Sequence, residues 1–406
     1  MPLVILKISA SSLLGGALAR IRLDYWEKWG GREWEAMAGV VRSFNAAQHR
    51  YEVVMIEAGD RTSSPDLAKF LNAQQQGIPP DVIGLEDHQI AALAASEALV
   101  SLEEVIGPAQ LTCATYQQPF LELGKYDGKL YALPVSGDIV TLYVNLGAVR
   151  GTPFEGGRIP FDLWEFDDGL GKMRKRGQVG FVPAYPGWWP QAWPWFFGGS
   201  WFDDRGRFTP ALPANVESYE WVSSFRARWD LEAFARPINP VGAREPDPFV
   251  NGEVAMVFEG DWLVQYLLRV PGLDWKPAPF PSLAGRPAAL VIADVLGIPK
   301  GAVHPEGAAQ FILFATQPEQ IEQLALGQVK ISPLRDWSQR FLAHHENRQL
   351  WVLQEILSTA RLFHDPRVSI WMNCLERIKR AFELMWSGEA TPAQALTSIQ
   401  DIGESS

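Results

Sequence analysis

The stretch IRLDYWEKWGGREWEAMAGVVRSFN, residues 21–45, decides how this chain is read. Its first five residues alternate apolar and polar, the period-2 pattern of a strand with one buried face. Trp26-Glu27-Lys28-Trp29-Gly30-Gly31 breaks that alternation, and Trp34, Met37, Ala38, Val41 and Phe44 then recur at helical spacing. Strand, loop and helix in that order put the loop at the carboxyl end of the strand, where open α/β sheets hold their ligands.

Working outward, the same alternation continues. Residues 51–56 read as a second strand, Pro65 opens a helix, and residues 82–85 form a short buried strand followed by the loop Glu86-Asp87-His88 and an alanine-rich helix. Ser101 with Glu104, and Asp162 with Glu165, are spaced as capping boxes. Between them, residues 126–145 hold a turn and two extended runs, with Asp138 after the break at Pro134 and Gly137, a pattern that suits a crossing between domains. Asn215 is expected to cap a helix reaching Trp229, residues 253–258, 275–280 and 290–298 read as strands, and residues 337–401 read as almost wholly helical. The class is α/β with substantial helical additions.

At 406 residues the chain is too long for one ordinary core, so two domains are expected. Hydrophobic content of 47% and charged content of 20% are those of a globular protein. With 36 basic and 47 acidic side chains the net charge is −11, which disfavours nucleic acid as a partner. Cys113 and Cys374 stand far apart and in no metal-binding spacing, as expected of inert thiols.

Residues 1–20, MPLVILKISASSLLGGALAR, combine Lys7, an apolar run and the small-residue site Ala17-Leu18-Ala19, the parts of an export signal. They also resemble the latter half of a twin-arginine signal, without its two arginines. Either the natural start lies further upstream or the segment is an N-terminal strand or helix. Export to the periplasm or the exterior is the expectation.

A second unusual stretch is PAYPGWWPQAWPWFFGGSW, residues 183–201, with Trp188, Trp189, Trp193, Trp195 and Trp201 set among prolines and a Gly-Gly pair. Proline interrupts both helix and sheet, so these rings ride on irregular backbone, and such aromatic-lined backbone is characteristic of concave sites. The expectation is a wall for a flat, partly apolar ligand. The alternative is that the rings plug a core.

Taken in order, Trp26-Glu27-Lys28-Trp29-Gly30-Gly31, Pro80-Asp81-Val82-Ile83, the run YDGKLYALP at residues 126–134, Phe196-Phe197-Gly198-Gly199, FVNGEVAM at residues 249–256 and Gly260-Asp261-Trp262 resemble the family 1 extracellular solute-binding proteins, the sugar-binding partners of ABC importers. That resemblance implies a two-lobed periplasmic binding protein fold of type II, with hinge strands, a helical C-terminal tail and ligand held between the lobes. Closure of such lobes on ligand is a property of the class, not something read from these residues. Residues 21–136 plus 291–327 are expected to form one lobe, and 137–290 plus 328–406 the other. The expected state is a monomer partnered by ABC permease subunits.

The resemblance also assigns residues. The loops holding Glu27 and Trp29, and Glu86 and Asp87, match first-lobe sugar contacts. Asp138 falls at a sugar-binding carboxylate, Tyr185 and Trp188 at an aromatic contact, and Trp262 at a stacking tryptophan; Trp189 is expected with Trp29, Trp188 and Trp262 among the rings of the cleft. Asp294 stands where relatives have small residues, a departure that leaves its role open.

These residue types suit a sugar. Aromatic rings pack on the C–H faces of a pyranose, while carboxylates accept its hydroxyl protons in bonds worth roughly 1.5 to 3 kcal/mol each. No cofactor is called for, and no P-loop, dinucleotide or zinc-protease motif is present. His344-His345-Glu346 has the wrong spacing for zinc and is expected on a solvated face. The pairs Asp167-Asp168 and Asp203-Asp204 raise a glycoside hydrolase as a remote alternative, but adjacent side chains diverge. A polyol or glycerol-phosphate ester is the rival ligand. It would call on Lys28 and Arg244.

Overall fold

The computed structural model describes residues 19–59, 65–107, 110–111, 113–187, 189–228 and 247–400. Residues 1–18 of the segment expected to direct export, and Trp188, Trp229 and Arg244, lie outside the described residues.

The strands, in chain order, are β1 (Ile21–Glu27), β2 (Tyr51–Glu57), β3 (Val82–Glu86), β4 (Lys125–Tyr126), β5 (Lys129–Leu130), β6 (Ala132–Asn145), β7 (Val179–Phe181), β8 (Val254–Gly260), β9 (Trp275–Ala278), β10 (Ala288–Gly297) and β11 (Arg361–Phe363). All except the β4–β5 hairpin belong to one continuous sheet of order β2-β1-β3-β10-β6-β8-β7, with β11 against β10 and β9 against β6. The expected alternation holds at the start. In β1, Leu23, Tyr25 and Glu27 are buried while Arg22 is exposed, and the helix Gly31–Ala47 buries Met37, Val40, Val41 and Phe44.

Two long antiparallel strands are shared by two hydrophobic cores. Along β6, Leu133, Val135 and Ile139 pack into the first core, and Val140, Leu142 and Val144 into the second. Along β10, Ala288 and Leu290 belong to the second core, and Val291, Ala293 and Val295 to the first. The run with Pro134 and Gly137 is one 14-residue strand rather than two: its ladder with β10 shifts register beside Pro134, where Val295 pairs with Pro134 and Asp294 with Ser136, and continues through Gly137. Gly137 is tightly enclosed there. A side-chain carbon would come within 3.0 Å of Phe120 and 3.1 Å of Pro333.

The helical tail divides between the cores. Leu350, Leu353 and Ile356 of the helix Leu350–Thr359 pack with the first, whereas Trp371, Leu375, Ile378 and Phe382 of Trp371–Ser387 pack with the second. Placing all of 328–406 with one lobe therefore does not match the packing, since the chain recrosses after β11. Asp162 caps its helix as expected, accepting from Trp164 and Glu165. Asn215 does not cap. It lies inside the helix Pro213–Arg228, and its amide donates to the carbonyls of Ser200 and Pro210 at 2.8 and 3.0 Å.

Candidate functional site

Six segments converge where the two cores meet. From the first come the loop after β1 and the β3-to-helix junction. Strands β6 and β10 cross between the cores, the segment after the helix Pro318–Gln328 forms a third crossing, and the second core contributes the turn after β8.

Glu27 organises the first loop. Its Oε1 accepts from the backbone N–H groups of Lys28 at 2.7 Å and Trp29 at 3.2 Å, and Tyr25 donates its hydroxyl to Oε2. Both oxygens are thereby engaged within the fold, so Glu27 positions Trp29 from below. Burial pushes its carboxyl up to about 7, against the pull of those donors. Trp29 itself is 2% exposed. Glu86 caps the helix Asp87–Ala95 in a capping box with Gln89 and lies 3.5 Å from the Lys28 ammonium. Asp87 turns inward, where Oδ1 accepts from the Ala293 N–H at 2.9 Å and anchors β10; burial raises its carboxyl above the ordinary range.

Asp138 and Asp294 come together through register. Ile292 pairs with Asp138 and Asp294 with Ser136, so the period of two puts both carboxylates on one face as diagonal neighbours. A bulge between Asp294 and Val295 falls at this point, a device that re-aims a side chain. Burial raises the Asp138 carboxyl even though the Lys330 ammonium works against it. Burial would raise Asp294 too, but Lys28 and Lys330 outweigh it and hold the carboxyl below the usual range.

Lys330 is the residue that sequence reasoning missed. Its ammonium lies 2.7 Å from Glu33, 3.1 Å from Asp138 Oδ1 and 3.6 Å from Asp294. It also stands 5.7 Å from the Trp29 ring centroid and 6.0 Å from that of Trp262. Lys28 pairs with Asp294 at 2.8 Å and stands 5.6 Å from the Trp29 ring. Both ammoniums are buried, and their carboxylate neighbours raise them above the ordinary lysine range despite that burial. No motif marks Lys330, because its partners reach it from the helix Gly31–Ala47 and from the crossings β6 and β10, all distant in sequence.

From the second core, Trp262 is partly buried and its ring lies 6.0 Å from that of Trp189 at 33°. Asp261, one residue earlier, accepts from the Ile139 N–H at 3.1 Å and the Ile331 N–H at 2.7 Å, so one carboxylate joins two crossings. Burial lifts it to about 6.

The structure brings Glu27, Trp29, Glu86, Asp87, Asp138 and Asp294 into one neighbourhood, with Trp262 and Trp189 facing it from the second core. Tyr185 sits in that core and donates its hydroxyl to Asp247, 3.0 Å from each carboxylate oxygen. The tryptophan stretch is mostly core: Trp193, Trp195 and Trp201 are buried, and Trp189 alone of its described indoles meets Trp262. Alternating prolines turn successive rings in different directions, so an irregular aromatic run fills several places at once. His345 is buried rather than solvated. Its Nδ1 accepts from the Asn347 N–H at 3.0 Å, which leaves Nε2 to donate to the Lys330 carbonyl at 2.9 Å. Asp167 is engaged by Trp221 and Arg228, Asp168 by Lys172, and Asp203 by Arg207, away from the cleft.

Residues 39–339 match the bacterial extracellular solute-binding protein family, and the chain belongs to it. It is similar to the sn-glycerol-3-phosphate-binding periplasmic protein UgpB of Salmonella typhimurium, with 20% identity over 96% of this chain and 93% of that protein. Among solved structures it is similar to CpMnBP1 with mannobiose bound, at a TM-score of 0.80 and 22% identity, covering 94% of this chain and 99% of that one. UgpB from Mycobacterium tuberculosis in complex with glycerophosphocholine matches at a TM-score of 0.75 and 21% identity, over 93% of this chain and 96% of that one. The fold is thus the mixed α/β fold of periplasmic binding proteins. The protein is a non-enzymatic solute-binding component of an ABC transporter, which takes a small solute and whose family implies permease partners.

Proposed function

We infer that the solute is a neutral mono- or oligosaccharide, held between the two lobes and delivered outside the cytoplasmic membrane, by a monomer, to an ABC permease. The indoles of Trp29 and Trp262 would pack on the C–H faces of the sugar, and the carboxylates around them would accept its hydroxyl protons. Hinge bending would occur where β6, β10 and the Lys330 segment cross. The observation that carries this reading is the charge balance: each buried ammonium already faces more than one carboxylate, Lys28 those of Asp294 and Glu86, and Lys330 those of Glu33, Asp138 and Asp294. A surplus of buried acceptors suits hydroxyl groups and opposes a phosphate. The saccharide named for CpMnBP1 points the same way.

A glycerol-phosphate ester is the second reading. Two buried lysines in the cleft favour it, as do the ligands named for both UgpB proteins. Thermal-shift and calorimetric titration with mannobiose, maltose, sn-glycerol 3-phosphate and glycerophosphocholine separates the two. The neutral disaccharides are expected to raise the midpoint with concentration, as mass action requires of a ligand that binds only the folded state. A rise with the phosphate esters and none with the sugars overturns the saccharide reading.

A further inference from the structure

We propose that Lys330 is a tethered occupant of a cation subsite between Trp29 and Trp262, and that it makes the cleft select neutral solutes over ammonium-bearing ones. The selectivity half rests on the saccharide reading above; the subsite half stands on the geometry alone.

The surroundings of the Lys330 ammonium are those of a site for an organic cation. Two indoles stand at 5.7 and 6.0 Å, and carboxylates of Glu33, Asp138 and Asp294 approach at 2.7, 3.1 and 3.6 Å. Aromatic faces with adjacent carboxylates attract ammonium groups most strongly when shielded from water, and here the lysine side chain is only 4% exposed. With Lys330 removed, Lys28 would be the remaining cation near Asp294, and Glu33 and Asp138 would lose theirs.

Lys330 is also held in place by its backbone. His345 donates to its carbonyl at 2.9 Å, and Asp261 accepts the next N–H at 2.7 Å. The preceding residue, Val329, has φ 62° and ψ 34°, a left-handed conformation rare for a β-branched residue. Strained backbone of this kind persists where surrounding structure enforces it, and here it ends a helix and turns Lys330 toward the cleft. A side chain serving only to fill space would need none of these three constraints.

The arrangement reads ligand charge. Asp138 meets this ammonium with both oxygens, Oδ2 accepting from it at 3.4 Å and Oδ1 lying 3.1 Å away, and its side chain also bonds that of Asp261. Lys330 supplies donors to ether and hydroxyl oxygens beside it. A solute carrying its own ammonium would set a second positive charge against Lys330. A phosphate would meet the carboxylates.

The test is chemical rescue. Lys330→Ala is titrated with propylammonium chloride, following tryptophan fluorescence and the thermal midpoint, with 1-propanol and sodium chloride as controls. Propylammonium is expected to raise the variant's midpoint saturably, at a concentration at least tenfold below either control, and to leave wild type unchanged. Equal responses of wild type and variant overturn the subsite. Should Lys330→Ala not fold, Lys330→Gln titrated with methylammonium gives the same readout. In the second arm, wild type is expected to bind mannobiose at least tenfold more tightly than a β-1,4-linked glucosamine disaccharide, and Lys330→Gln to narrow or invert that ratio. An unchanged ratio overturns the selectivity. If neither disaccharide binds wild type, the saccharide reading and the selectivity fail together, while the rescue result still decides the subsite.

Discussion

The indole of Trp262 lies over Gly260, so closely that a side-chain carbon there would come 2.1 Å from the ring. Gly260 has φ −76° and ψ 162°, open to any residue, so glycine is required by the neighbouring ring and not by the backbone. Gly260→Ala is therefore expected to swing the ring away while leaving the lobe folded. Solute affinity should fall at least tenfold, or about 1.4 kcal/mol. Titration of the variant at wild-type affinity would show that the ring's position is immaterial.

Trp262 and Trp193 provide a matched pair. Trp262 is partly exposed at the meeting of the lobes, whereas Trp193 is 2% exposed in the second core, against Phe258 and Phe280. Trp193→Ala is expected to cost about 3–5 kcal/mol of stability, as large-to-small core changes do. Trp262→Ala should instead weaken solute binding with a small change in thermal midpoint. Equal loss of stability in both, with affinity retained in Trp262→Ala, would remove Trp262 from the site.

What the sequence disclosed and what it hid follow from the range of the interactions. Alternation in β1 and helical spacing after it are local, and so they were legible. Pro134 and Gly137 marked the crossing because both are rare inside a central strand. Glu27, Asp138 and Trp262 were nominated through a family resemblance built on the order of short motifs, yet Glu27 organises its own loop. Asp261 was passed over because its partners, the amides of Ile139 and Ile331, arrive from distant segments and leave no trace in a motif. Lys330 was hidden for the same reason. The tryptophan stretch misled because proline predicts irregular backbone but not which way each ring faces.

The Asp261 carboxylate spans two crossings, so its removal should be felt at the hinge. Asp261→Ala leaves the Ile139 and Ile331 N–H groups without acceptors, each orphaned buried donor costing about 1–3 kcal/mol. Asp261→Asn keeps one acceptor and should lose roughly half as much. Urea denaturation measures both, and small-angle scattering of the solute-free variants should show a larger radius of gyration than wild type. Loss of stability with unchanged dimensions would make Asp261 a prop of the fold and not a hinge tie.

Glu259 offers a test by pH. It lies on β8, fully buried, with Oε1 accepting the Gly260 N–H at 2.9 Å. Burial pushes its carboxyl up to about 8; the Gly260 N–H and the Trp189 side chain oppose this, and nearby Asp247 adds to it. Between the ordinary 4.5 of an unfolded glutamate and about 8, the folded chain retains a proton that the unfolded chain has released. The unfolded state then binds fewer protons, so stability contributed at acid pH is lost as pH rises through that window and levels off above it. Glu259→Gln keeps the acceptor for Gly260 and cannot ionise. The midpoint of the variant relative to wild type should therefore climb as pH is raised from 5 to about 9. A difference that stays flat across that range would mean Glu259 is ionised in the folded protein at neutral pH.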